Sequence, residues 1–155
     1  MNRNDAVKII CKNRKAFFNF EIEDSFEAGI VLLGSEVKSL RSGKANLSDA
    51  YGKFRSGELM LVDAHISPYA QASRQNHEPL RERKLLLHKQ ELKKLFGKVA
   101  ERGFSLIPLK MYFKNGKVKV EMALARGKKT YDKREAIKKK DQRRELERLA
   151  KQRYQ

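Results

Sequence analysis

Asn115-Gly116 stands between two runs in which apolar side chains take every second place: Ile107, Leu109, Met111 and Phe113 before it, Val118, Val120, Met122 and Leu124 after it. A period of two is the signature of a strand, and Asn-Gly supplies the left-handed backbone of the tight turn whose twist matches its strands. An antiparallel hairpin is forced here, with an apolar face that the rest of the chain has to cover. Pro108 has no amide hydrogen to give to a ladder, so the first of these strands should bulge or lie at an edge near that point.

Other segments offer the cover. Phe18, Phe20 and Ile22 alternate with Asn19 and Glu21, and a second run from Phe26 to Leu33 follows Glu23-Asp24-Ser25, which reads as a strand pair. Residues 50–55 and 58–66 flank the turn dipeptide Ser56-Gly57 and read as another hairpin. A short helix is expected from Ser35, as cap, to Gly43. Leu85-Leu86-Leu87 leads into a longer helix marked by Leu92, Leu95, Phe96 and Val99, with Lys93, Lys94, Lys98 and Arg102 on its other face and Gly103 at its end. Residues 1 to about 15 form a basic lead-in, and Ser67 to Glu82 a long loop of the kind that is usually functional or disordered. Six strand candidates with one good helix between the fourth and fifth point to a mainly β fold. The expected architecture is a small antiparallel barrel of the oligonucleotide-binding type, with about six strands and two or three helices. Pattern alone leaves an open α+β sandwich as the alternative.

Charge narrows the partners. Lys and Arg number 36 against 19 acids, a formal charge of +17, so a polyanion is the natural partner. A membrane is the weaker choice, because no run of about 18 apolar residues, no secretory signal and no lipidation box is visible, and a soluble cytoplasmic protein is expected. The single Cys11, together with His65, His77 and His88, gives no metal-ligand spacing, and no phosphate-binding glycine loop occurs. Neither a metal, a cofactor nor a catalytic site is expected. Cys11 reads as an inert small side chain and the histidines as isolated. The clusters Lys12-Asn13-Arg14-Lys15, Arg81-Glu82-Arg83-Lys84, and Lys117 with Lys119 read as RNA contacts; Phe18, Phe20, Tyr51 and Tyr69 are possible stacking partners, though core packing is their commoner fate.

The composition changes after Gly127. Residues 128–155 carry twelve cations against five acids, +7, and few apolar groups, while residues 1–127 carry +10. The division expected is an RNA-binding body at 1–127 and a basic tail at 128–155. So little apolar surface cannot offset the tail's ordering entropy, so it should be disordered when free, with a helix available from Ile137 onward once phosphates neutralise the lysines.

Several blocks carry a resemblance. Asn13-Arg14-Lys15-Ala16, Phe26-Glu27-Ala28-Gly29, Gly34 through Arg41, Lys44 through Tyr51, His65 through Tyr69, Arg81 through Leu87, Gly103 through Tyr112, and Gly127 through Arg134 follow in the order found in the bacterial SsrA-binding protein family, also called small protein B, which the chain resembles from about residue 7 to its end. The resemblance implies an adaptor, not an enzyme, that holds the tRNA-like domain of transfer-messenger RNA and takes it to stalled ribosomes for peptide tagging. Elongation factor Tu, reached through the RNA, is a further candidate partner. By the same resemblance Asn13, Glu27, Leu86, His88 and the cations around Lys84 and Lys119 lie on the RNA face. Lys128, Lys129, Tyr131 and Asp132-Lys133-Arg134, with the helix from Ile137, act in the ribosome against small-subunit rRNA. Tyr131 stands where some members have histidine, and His88 where asparagine occurs. Fold and charge by themselves also permit a ribosomal or generic oligonucleotide-binding module.

Overall fold

The structure, a computed structural model, describes residues 6–71, 76–101, 103–128 and 130–153. Strand β1 (Val7–Lys12) leads into a short helix α1 (Arg14–Asn19), and strand β2 (Phe20–Ile30) follows directly. Helix α2 (Gly34–Arg41) and strand β3 (Ala45–Asn46) come next, then β4 (Tyr51–Arg55), β5 (Glu58–Val62) and β6 (His65–Ile66). Beyond the loop lie β7 (Arg83–Leu86), helix α3 (Lys89–Ala100), β8 (Phe104–Lys114), β9 (Lys117–Gly127) and the C-terminal helix α4 (Thr130–Arg153).

Both hairpins form where their turn residues put them. Asn115 and Gly116 take φ of 52° and 74°, and Ser56 and Gly57 take 50° and 79°, the left-handed pairs such turns need. The β8–β9 register slips between Pro108 and Lys110, the bulge expected of a proline without a donor. Along one edge β8 pairs with β9, and along the other it meets β1 at its C-terminal half and β4 at Leu106. Pairing continues from β4 through β5, β7, β2 and β9, so an antiparallel set of six strands returns to β8, with β1 attached outside. Gly52 permits the β4–β8 approach, since a Cβ there would lie 2.9 Å from the Leu106 Cβ. Leu59, Leu61, Leu85, Leu106, Met111 and Met122 fill the interior, each no more than 1% exposed. Leu95 of α3 is buried against that core, while Phe96 meets Phe54 edge-to-face at a centroid distance of 5.4 Å.

Five local expectations need correction. The strand pair expected before residue 33 is one eleven-residue strand, β2, running opposite β9 from Phe20↔Gly127 to Gly29↔Lys119, and Glu23-Asp24-Ser25 passes through as a bulge rather than a turn. Phe17 and Phe18 belong to α1, whose Ala16 is buried among Ile107, Leu109, Ala123 and Ala125 on the outer side of β8 and β9. Ser35 does not cap α2; the backbone N–H of Leu33 donates to Glu36 Oε1 at 2.8 Å, and Ser35 Oγ is instead 2.9 Å from His77 Nδ1. Leu85-Leu86-Leu87, read as a lead-in to the helix, falls largely within β7, which joins β5 to β2. Helix α4 also begins at Thr130, before the helix anticipated from Ile137, with Ile137, Leu146 and Leu149 exposed. Good helix formers and the exposed Arg143–Glu147 pair at i,i+4 favour it locally.

Candidate nucleic-acid interface

Gly29 sits between two strands on β2, opposite Leu86 of β7 on one side and Lys119 of β9 on the other. A Cβ on Gly29 would lie 3.2 Å from the Leu86 Cβ and 3.7 Å from Lys119 Nζ, so the missing side chain leaves a floor. Glu27 stands two residues earlier and therefore on the same face. His88 and Glu91, at the start of α3, complete a cavity of about 410 Å³ with these residues. A second cavity of about 350 Å³ shares Gly29, Leu86 and Lys119 and continues past Lys117 to Leu32 and Val37. Together they form one groove with an aliphatic floor and lysines along its rim.

Glu27 and Glu91 are the carboxylates of this groove, and Glu27 is held in place by its neighbours. Tyr112 Oη donates to its Oε2 at 2.5 Å, and Lys114 Nζ reaches the same oxygen at 3.3 Å. The tyrosine hydrogen bond, against some cost of burial, and then Lys114 and Lys119 hold the Glu27 carboxyl below the usual carboxylate range. Burial and the adjacent carboxylate push the Tyr112 phenol well above its ordinary value, so it stays a donor. Glu27 is therefore an ionised acceptor at neutral pH, fixed before any partner arrives.

Of the residues singled out in the sequence, Glu27, Leu86, His88, Lys117 and Lys119 meet at this groove. Lys84, on the same face of β7 as Leu86, pairs with Glu58 at 3.0 Å and remains part exposed. Arg83 is a correction. Its side chain is fully buried, with Nε on Glu36 Oε2, Nη1 on the Ala64 carbonyl at 2.8 Å and Nη2 on the Pro79 carbonyl at 3.2 Å, so it has no face to offer RNA. Arg81, about a third exposed, donates to the other oxygen of Glu36 at 2.5 Å. Burial by itself would raise the Glu36 carboxyl, but hydrogen bonds from Arg81, the Leu33 N–H and Arg83 outweigh it and hold it low.

Asn13 and its basic neighbours lie elsewhere. Asn13 is buried, its Nδ2 donating to the Pro108 carbonyl at 2.9 Å, and with Lys15, Asn19, Phe20, Asp49 and Tyr51 it lines a separate cavity of about 300 Å³ that shares no residue with the groove. Arg14 and Lys15 are exposed on α1, as is Phe18, and Tyr69 lies under Lys38, whose Nζ is 5.5 Å from the ring centroid. In the tail Lys128 Nζ donates to the Phe17 carbonyl at 3.0 Å; Lys133, Arg134 and Ile137 follow on α4. Arg102 and Lys129 lie outside the described residues, as do the side chains of Tyr131 and Asp132.

Sequence reasoning missed Tyr112, Lys114 and Gly29. The first two share a strand face by the i,i+2 rule, a visible signal, but their meeting with Glu27 depends on the β8–β9–β2 register, which no local pattern encodes. His77 is buried between Ser35 and the Ile66 carbonyl, which its Nε2 meets at 2.8 Å, a packed structural residue. Burial, opposed by the Met111 backbone, pushes the Cys11 thiol up to about 11, so it is not a thiolate at neutral pH. Among the described residues no helix is long and apolar enough to cross a membrane.

A family model described as "SmpB protein" matches residues 10–152. The "SsrA-binding protein" of Syntrophobacter fumaroxidans is 61% identical over 151 residues, covering 97% of this chain and 94% of that one. Its namesake in Geobacter sulfurreducens is 61% identical over 139 residues, covering 90% and 91%. A solved structure described as "tmRNA-SmpB: a journey to the center of the bacterial ribosome" is similar at a TM-score of 0.68 and 48% identity, over 82% of this chain and 93% of that one.

Proposed function

The chain belongs to the SmpB protein family, and from that we propose that it is an RNA-binding adaptor of trans-translation, which binds transfer-messenger RNA and acts with it on stalled ribosomes. It holds the tRNA-like domain of that RNA in the groove at Glu27. The observation that carries this reading is the meeting of Glu27, Leu86, His88 and Lys119 from β2, β7, the start of α3 and β9 around one cavity. A-form RNA keeps its base edges in a deep groove, so a protein of this kind reads phosphates, ribose hydroxyls and unstacked loop bases. Lysines supply the phosphate contacts. A carboxylate among them repels phosphate but accepts from a base N–H or a 2′-OH, which gives the site selectivity.

Several finer readings go with it. The six strands whose pairing returns to β8 support a barrel of the oligonucleotide-binding type. Residues 1–127 form the RNA-binding body; Arg14, Lys15, Arg81 and Lys84 add charge around it. The segment 128–155 is a separate working part, unfolded when free and helical when lined by rRNA of the small subunit, with Asp132-Lys133-Arg134 as its acting element. Elongation factor Tu meets the protein through the RNA. The protein works in the cytoplasm as an adaptor rather than an enzyme.

Gel shifts with full transfer-messenger RNA, elongator tRNA and single-stranded RNA test the assignment, and preference for single strands would favour a generic oligonucleotide-binding module. Removing residues 128–155 should leave specific binding in place with a shallower salt slope, since each lost phosphate contact takes about 0.7–0.9 off the log–log slope. Abolished binding at low salt would refute the division of labour. Glu27→Ala should weaken cognate binding by about 1–3 kcal/mol. Tighter binding would show Glu27 to be an unhelpful charge.

A further inference from the structure

We propose that Tyr112 is the positioning residue of the RNA site: its hydroxyl locks Glu27 by Oε2, so that Oε1 is left to accept from an N–H or O–H donor of the bound RNA. The proposal rests on reading the groove at Glu27 as that site. Its ground is how the two contacts are shared out. Tyr112 and Lys114 both meet Oε2, and Oε1 has no hydrogen-bond partner among the described residues although Glu27 lines the cavity. One half of the carboxylate is thus spent on the protein and the other half is presented.

Tyr112 is suited to hold and not to bind. It is only 5% exposed and sits on β8 opposite Lys119, which in turn lies opposite Gly29 of β2. Its hydroxyl therefore reaches Glu27 across β9 from a ring fixed by packing. A glutamate left free on a basic rim has several rotamers and would be pushed aside by an arriving polyanion; ordering it on binding costs affinity, and ordering it beforehand removes that cost. The lock is reciprocal, because a buried phenol that loses its acceptor is left unsatisfied. Contact with Lys114 adds a cation on the same oxygen, at a longer 3.3 Å and from a flexible side chain still about a third accessible, and so orders Glu27 less. A phosphate oxygen carries no hydrogen and gains nothing from Oε1, so the locked carboxylate selects a base edge or a ribose hydroxyl.

The test uses the full-length protein and full transfer-messenger RNA. Tyr112→Phe keeps the ring and its packing, and we expect cooperative unfolding to persist while affinity falls about tenfold, the worth of one charge-assisted hydrogen bond. In the free variant the Glu27 carboxyl, followed by carbon-detected NMR, should titrate closer to its ordinary value near ~4.3. A merely structural tyrosine would not move that titration. In a Glu27→Gln background, itself weakened, adding Tyr112→Phe should cost little more. Should Tyr112→Phe fold poorly, Lys114→Met, at a half-buried position outside the core, must raise the Glu27 titration and weaken binding in the same direction. Wild-type affinity for Tyr112→Phe beside a weakened Glu27→Gln overturns the positioning role and leaves the RNA site standing. A Glu27→Gln protein that binds normally overturns both.

Discussion

Glu36→Ala is expected to lower the stability of the folded protein by about 3–5 kcal/mol, the usual cost of removing one partner from a buried ion pair. A domain of this size has only about 5–15 kcal/mol in all. Glu36 is fully buried, as is Arg83, and both carboxylate oxygens are taken: Oε1 by Arg81 and the Leu33 N–H, Oε2 by Arg83. Alanine would free the α2 cap and strand a guanidinium in the core. Urea unfolding should show a lower midpoint with the slope kept. A loss under about 1 kcal/mol would mean that water or the Ala64 and Pro79 carbonyls satisfy Arg83 without the acid. The pair Glu36→Leu with Arg83→Met should recover much of the loss, because it removes the charges together.

The same cluster sets an acid limit. The Glu36 carboxyl is held below its ordinary value in the folded state, so its contribution is present in full above the unfolded pKa near ~4.3 and is lost as pH falls through the folded one. Stability should therefore decline below about pH 4 in the wild type and far less in the Leu/Met pair. Arg83→Ala belongs with these variants and not with the proposed RNA site. Its RNA affinity per folded molecule and its salt slope should stay those of the wild type, since a buried guanidinium releases no counterion when RNA binds.

Arg83 shows where sequence reading ends. In Arg81-Glu82-Arg83-Lys84 nothing local separates the buried cation from the exposed ones, because its burial depends on Glu36, 47 residues away. The hairpin at Asn115-Gly116 was legible because turn chemistry and period agree within a few residues, and the Pro108 bulge because a missing donor is a local fact. Strand β2 was not, since Glu23-Asp24-Ser25 has the composition of a turn and only the matching length of β9 carries the strand through it. Helix α1 was hidden by Phe18, which alternates with Phe20 as in a strand but lies exposed beside Phe17 on a six-residue helix. For the groove, composition foretold lysines and a nucleic acid. Assembly of Glu27 with Leu86 and Lys119 is a matter of register across three strands, which the family resemblance carried and periodicity could not.

Replacing Asp132, Lys133 and Arg134 together with alanine should leave folding and transfer-messenger RNA binding nearly intact and stop peptide tagging of stalled ribosomes. Among the described residues α4 contributes nothing to the core, its Ile137, Leu146 and Leu149 stay about half exposed or more, and it meets the body chiefly at helix α1, so the body should tolerate changes there. A helix so exposed owes its stability to propensity and to surface ion pairs such as Arg143–Glu147 at 3.4 Å, each worth a few tenths of a kcal/mol. On the proposed reading that is too little to hold 24 residues in water, and neutralisation of the lysines by phosphate would supply the rest. Lys140→Pro tests the helix separately. It removes one donor and clashes with the carbonyl of Ala136, costing about 3 kcal/mol, roughly a hundredfold in the helical population. Tagging should fall accordingly while gel shifts stay unchanged. Full tagging by Lys140→Pro would mean that the segment acts as a flexible charged tether, and full tagging by the triple variant would take it out of the mechanism.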